Sequence, residues 1–137
     1  MKIGILTVSD RASRGEYEDK GGPAIAAYLA ATLTTPWSAV ARIVPDGVQS
    51  VRDALLDLCD RERVGLLLAT GGTGPSPRDT TPEALAAVLD KELPGFGEQM
   101  RAASLRQVPT AILSRQSAGI RGSTLIITLP GKPAAIE

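Results

Sequence analysis

The residues able to do chemistry in this chain are carboxylates, hydroxyls and arginines, gathered around Ala69-Thr70-Gly71-Gly72-Thr73-Gly74-Pro75-Ser76-Pro77-Arg78-Asp79-Thr80-Thr81-Pro82. Glycines let backbone N–H groups converge on an anion because no Cβ stands in the way. Arg78 adds a cation for a phosphate, and Asp79 a carboxylate for a metal. The stretch has neither the Gly-Lys-Ser/Thr ending of a P-loop nor the glycine spacing of a dinucleotide fingerprint. Two readings stand side by side: a tight turn that uses glycine for conformation alone, and a phosphate site. Arg78-Asp79 tips the balance towards a site.

Asp46, in Pro45-Asp46-Gly47, is a second candidate. On residue type alone it reads as the cap of the next helix, with Gln49 completing a capping box. Ser9-Asp10-Arg11-Ala12-Ser13-Arg14 carries two serine-plus-arginine pairs suited to a phosphate or a polar ring. Histidine is absent and Cys59 is the one cysteine. This excludes a histidine base, histidine-bound zinc, a thiolate cluster and an intrachain disulfide. Any metal is therefore a hard cation held by oxygen, with magnesium the first choice.

Strands and helices must hold these groups. Lys2 to Ser9 and Val64 to Ala69 are apolar runs that predict strands buried on both faces. Ser38 to Val44 and Thr124 to Leu129 are further strands, and Thr110 to Leu113 a short one. Gly21-Gly22-Pro23 opens a helix with Ile25, Tyr28, Leu29, Thr32 and Leu33 at helical spacing. The charged lead-in Glu16 to Lys20 reads as solvated. A second helix presents Val51, Ala54, Leu55, Leu58 and Cys59, the cysteine being an inert core residue. A third starts at Thr81, where a threonine oxygen can cap it, Pro82 suits the first turn and Glu83 complements the dipole. A fourth begins near Phe96. Ala118 to Ser123 reads as a small basic loop, and Ala134 to Glu137 as a helix start that is cut off.

Alternating strands and helices predict one α/β domain over residues 1–137, a three-layer sandwich around a mostly parallel central sheet. The polar strand ends, including Asp46, Gly71 to Asp79, Ser114-Arg115 and Arg121-Gly122-Ser123, should then converge on one edge. Equal numbers of basic and acidic residues, 15 each, argue against a general nucleic-acid binder. The four aromatics, Tyr17, Tyr28, Trp37 and Phe96, are too few for base-stacking platforms. Ile3 to Leu6 is too short to span a membrane and no signal-type cleavage site follows, so the cytoplasm is the expected location.

Thr7-Val8-Ser9-Asp10-Arg11, Asp19-Lys20-Gly21-Gly22-Pro23, Val44-Pro45-Asp46 and Gly71 to Gly74 with Arg78-Asp79-Thr80-Thr81-Pro82 together resemble molybdopterin adenylyltransferases. Pro94 to Arg101, Ile112-Leu113-Ser114-Arg115 and Leu129-Pro130-Gly131 extend the resemblance, in order, over essentially the whole chain. The resemblance implies that ATP, with magnesium, adenylylates the terminal phosphate of molybdopterin and releases pyrophosphate, preparing the pterin dithiolene for molybdate insertion. It also implies a homotrimer and a molybdate-insertion enzyme as partner. By position, Asp46 and Asp79 are implied to bind magnesium and align the reacting phosphates, with capping at most a second duty of Asp46. Gly71, Gly72, Thr73 and Gly74 are implied to cradle ATP phosphates, and Ser123 to contact nucleotide. Ser9, Ser114 and Arg115 fall to the pterin and its phosphate. Relatives often have a small amide where this chain has Lys132, and they continue through a further strand and helix, so the domain reads as truncated at its C-terminus. A sister subgroup shares the loop and the pathway. The reading from another class is a non-catalytic pterin-binding module or trimeric scaffold.

Overall fold

The computed structural model describes residues 1–131. Its core grows from β1 (Lys2–Val8), where six of seven residues are buried. Side chains alternate across a strand, so an unbroken apolar run must be covered on both faces. Ile3 and Ile5 meet Ile25 and Leu29 of α2 (Gly21–Thr32) on one face. Leu6 and Val8 meet Val51 and Leu55 of α3 (Val48–Leu56) and Ala84, Leu85 and Val88 of α4 (Thr81–Val88) on the other. α3 continues through one π-helical turn, Asp57–Arg61, which keeps Leu58 and Cys59 buried. Each large apolar side chain so enclosed contributes about 1.5–3 kcal/mol.

Six strands form one sheet in the order β2-β1-β3-β6-β5-β4. β2 (Ser38–Val44), β3 (Leu66–Thr70) and β6 (Thr124–Leu129) run parallel with β1, and the short β5 (Ala118–Arg121) and β4 (Lys91–Glu92) close one edge antiparallel. The fold is the expected α/β sandwich, a mostly parallel sheet with helices on both faces. β1 leads out to β2 on one side, and β3 lies on its other side. That reversal puts a crevice at the carboxyl ends of β1 and β3, where open α/β sheets bind ligands.

Several local expectations need correction. Thr110 to Leu113 is not a strand but part of a 3₁₀ turn, Pro109–Leu113, which follows α5 (Pro94–Leu105). Pro109 fits the first position of such a turn and leaves Ile112 71% exposed. Ala118 to Ser123 is not a loop: Ala118–Arg121 is β5, and Gly122-Ser123 is the tight turn into β6, with Gly122 at φ +56°. β2 is an edge strand whose residues are only half-buried or exposed, unlike the strands buried on both faces. Tyr28 lies outside the α2 core stripe and is half-exposed. α5 begins at Pro94, two residues before Phe96. Lys132 and the helix start expected at 134–137 lie outside the described residues.

Candidate functional site

Where β1 ends, Ser9 caps the single turn α1 (Asp10–Ser13), its Oγ accepting from the Ala12 amide. Where β3 ends, Gly71 turns back at φ +100° beneath β1, so close that a Cβ there would sit 2.2 Å from the Val8 carbonyl oxygen. Only glycine fits that approach. The Gly71 amide donates to Leu129 O at 3.1 Å and Thr81 Oγ1 to Gly71 O at 2.9 Å, tying the loop to β6 and α4. The amides of Gly72, Thr73 and Gly74 have no acceptor among the described residues, which leaves them free for an anion.

Between these loops lies a cleft of about 340 Å³ lined by Ser9, Asp10, Tyr17, Asp19, Lys20, Asp46, Gly71, Gly72, Arg78, Asp79 and their neighbours. Asp46 and Asp79, 33 residues apart in the sequence (79 − 46), share it. Asp46 Oδ2 accepts from the Asp10 amide at 3.2 Å, and Asp79 Oδ2 from the Ser76 amide at 3.0 Å. The remaining carboxylate oxygens have no protein donor among the described residues. Burial lifts the Asp46 carboxyl above its ordinary range; the Asp10 amide opposes this, the Asp10 and Asp79 charges add to it, and Arg78 partly offsets them. An under-neutralised pair of hard oxygens suits magnesium, which is usually held by one or two carboxylates while substrate phosphates fill the shell. No group of three or more His, Cys, Asp or Glu side chains among the described residues could hold a metal by itself.

A second, more apolar cleft of about 470 Å³ lies across the glycine loop, lined by Thr73, Gly74, Pro75, Val108, Leu113, Ser114, Gln116 and others. Gly72, Asp79 and Gly131 line both clefts.

Ser9, Asp46, Gly71, Gly72 and Asp79 thus meet in the first cleft, and Thr73, Gly74 and Ser114 in the second. Ser114 Oγ is hydrogen-bonded to Gln116 Oε1. Ser123 joins neither. It is exposed at the β5–β6 turn, at the start of β6, whereas the loop meets the end of that strand. The six steps from Ser123 to Leu129 at ~3.3 Å each put it roughly 20 Å away. Arg121 is likewise diverted, pairing with Asp60 at 2.8 Å.

Arg115 lines neither cleft. Its Nε donates to Gly74 O at 3.0 Å, Nη2 to Asp79 O at 2.5 Å, and the guanidinium pairs with Glu83 at 2.6 Å. These bonds clamp the glycine loop.

The helix starts differ from expectation too. Asp46 does not cap α3: Gly47 occupies the cap position, no side-chain oxygen accepts from the first helical amides, and Gln49 instead donates to Asp53. No threonine oxygen caps α4; Thr80 Oγ1 is buried without a partner among the described residues, and the Thr81 amide is taken by Gly72 O. The lead-in to α2 is part of the site. Asp19 accepts from Thr7 Oγ1 and from the amides of Gly21 and Gly22, which makes it the helix's effective cap. An aspartate just before Gly-Gly was the available signal for it. Tyr17 OH pairs with Ser9 Oγ at 3.0 Å, and Arg11 lies over its ring.

A protein-family profile described as "Probable molybdopterin binding domain" matches residues 4–137. The chain is 51% identical over 137 residues to the molybdopterin adenylyltransferase of Escherichia coli K12, spanning all of this chain and 70% of that protein. It is 54% identical to the molybdopterin adenylyltransferase of Helicobacter pylori 26695, again over all of this chain and 78% of that protein. Among solved structures, the molybdopterin biosynthesis enzyme MoaB of Thermus thermophilus superposes with a TM-score of 0.88 at 46% identity, covering 98% of this chain and 84% of that one.

Proposed function

The chain belongs to the molybdopterin-binding domain family, and from that premise we propose that it is a molybdopterin adenylyltransferase acting in molybdenum cofactor biosynthesis. Relatives more than half identical along its whole length carry that name. One observation on this chain supports the reading above others: Asp46 and Asp79, from separate loops, line one cleft beside the glycine turn. A scaffold has no need of that pair.

A terminal phosphate oxygen of molybdopterin attacks the α-phosphorus of ATP; the new P–O bond forms as the bond to pyrophosphate breaks, and pyrophosphate leaves with the electron pair. A phosphate oxygen is already a nucleophile, so no histidine base or covalent enzyme intermediate is needed. The protein's work is positioning and charge neutralisation. The amides of Gly72, Thr73 and Gly74 cradle phosphate oxygens, and Arg78 at the rim offsets their charge. Asp46 and Asp79 would hold magnesium, which when bound neutralises phosphate charge. Ser9 lines the first cleft, while Ser114 and the apolar walls of the second cleft suit the pterin. Arg115 keeps the loop that separates the two in place.

ATP as co-substrate fits a cytoplasmic reaction. A homotrimer is consistent with the exposed apolar side chains of Leu105 and Ile112, and the adenylylated product calls for a molybdate-inserting partner. The test is incubation with molybdopterin and α-labelled MgATP. Label on the pterin and stoichiometric pyrophosphate are expected. Pterin binding without pyrophosphate release would instead mark a non-catalytic binding module.

A further inference from the structure

We propose that Asp10 is the positioning residue for Asp46, holding it in the cleft through a reciprocal clasp between two loops. The inference rests on the adenylyl-transfer reading. Asp10 follows β1 and Asp46 follows β2, 36 residues apart. The Asp10 amide donates to Asp46 Oδ2 at 3.2 Å, and the Asp46 amide donates to Asp10 Oδ1 at 3.0 Å. Each aspartate therefore accepts the other's main-chain N–H. A fixed amide is what lets two carboxylates lie this close without mutual repulsion driving them apart.

The Asp46 carboxylate has no other protein donor among the described residues. It lies on a turn with Gly47 at φ +138° and no side-chain cap on α3; Ser50 Oγ donates to Pro45 O and Gly47 O on either side of it, which holds the turn but does not touch the carboxylate. Its aim is thus set by Asp10, whose neighbour Ser9 is fixed twice. The Ser9 amide donates to Val44 O at 2.9 Å, joining the ends of β1 and β2, and Ser9 Oγ caps α1. Asp10 acts through Asp46; its Oδ1 is spent on an amide.

The clasp separates acceptor from charge. Asp10→Asn keeps an oxygen for the Asp46 amide, and Asp10→Ala removes it. The experiment combines steady-state kinetics on both variants at saturating MgATP with hydrogen exchange at the Asp46 amide. In Asp10→Ala, kcat should fall about tenfold or more, as expected when a reacting group is misplaced. KM for molybdopterin should stay within about twofold, and exchange at the Asp46 amide should speed up. Asp10→Asn should recover most of the turnover and the protection. Wild-type turnover in Asp10→Ala overturns the proposal. So does an Asn variant as impaired as Ala, because that result makes the Asp10 charge a direct contact. If the wild-type protein transfers no adenylyl group, the functional reading fails separately. The exchange measurement then decides the clasp: unchanged protection of the Asp46 amide in Asp10→Ala refutes it.

Discussion

Asp46 and Asp79 occupy the same cleft but are held differently, and substitutions read the difference. Asp79→Asn keeps shape and one acceptor for the Ser76 amide while removing charge. Loss of one such electrostatic contact costs on the order of 3 kcal/mol, about a hundredfold in kcat, with pterin affinity less affected. Asp46→Asn should fall comparably, and the double variant by less than the sum, since both serve one centre. Steady-state kinetics on the three proteins checks this; wild-type turnover in Asp79→Asn would remove its catalytic assignment. Stability should move the other way. The Asp46 carboxyl is raised, chiefly by burial, so the folded state holds its proton more tightly than the unfolded one. Stability then declines as pH rises from the ordinary carboxylate pKa through the raised one, and the cost of the charge persists at neutral pH. Asp46→Asn should melt at or above the wild-type temperature at pH 7, with the gain vanishing below the ordinary carboxylate range. Asp46 caps nothing, so no capping loss offsets the gain.

At the scale of elements, the glycine loop depends on close approach and on one arginine. Gly71→Ala would press a Cβ against the Val8 carbonyl at positive φ and should cost about 2–3 kcal/mol. Gly15→Ala, also at positive φ but in open space, should cost only about 1 kcal/mol. Urea unfolding of the two variants tests the contrast. For Arg115, bonds from a charged group to two loop carbonyls contribute ~1.5–3 kcal/mol each, whereas its exposed pair with Glu83 contributes about 0–1 kcal/mol. Arg115→Ala should therefore lower stability and turnover far more than Glu83→Gln. The strands β1 and β3 and the helix stripe of Val51, Leu55 and Leu58 were legible in the sequence because burial on both faces leaves an unmistakable apolar run. The β5–β6 hairpin was not: Ala118-Gly119-Ile120-Arg121 has little strand propensity of its own and is fixed by pairing with β6. Asp46 as a cap failed because its amide and carboxylate were claimed by Asp10, a residue distant in sequence. That Ser123 lies away from both clefts was not legible, because position in a motif says nothing about which end of a strand a turn occupies.

For the whole molecule, the metal question joins composition to architecture. The chain has no histidine and a single, buried cysteine, so its ligands for a cation are oxygens. The sheet's topology brings two of them, on Asp46 and Asp79, to the crevice between β1 and β3. Two carboxylates are too few to satisfy a magnesium ion that demands near-octahedral oxygen coordination, and substrate phosphates are the usual remainder. Three consequences follow from that count. EDTA should leave the melting temperature of the free protein unchanged, because no folding energy is stored in a bound ion. Calorimetric titration with magnesium alone should show only weak binding, and ATP should strengthen it. Turnover should be lost on removal of divalent cations, recover with magnesium, and resist a zinc-selective chelator such as phenanthroline. Full adenylyl transfer in the absence of any divalent cation would contradict the assignment of Asp46 and Asp79 as metal-holding residues. A large fall in melting temperature with EDTA would contradict the count, since it would require a site completed by the protein alone.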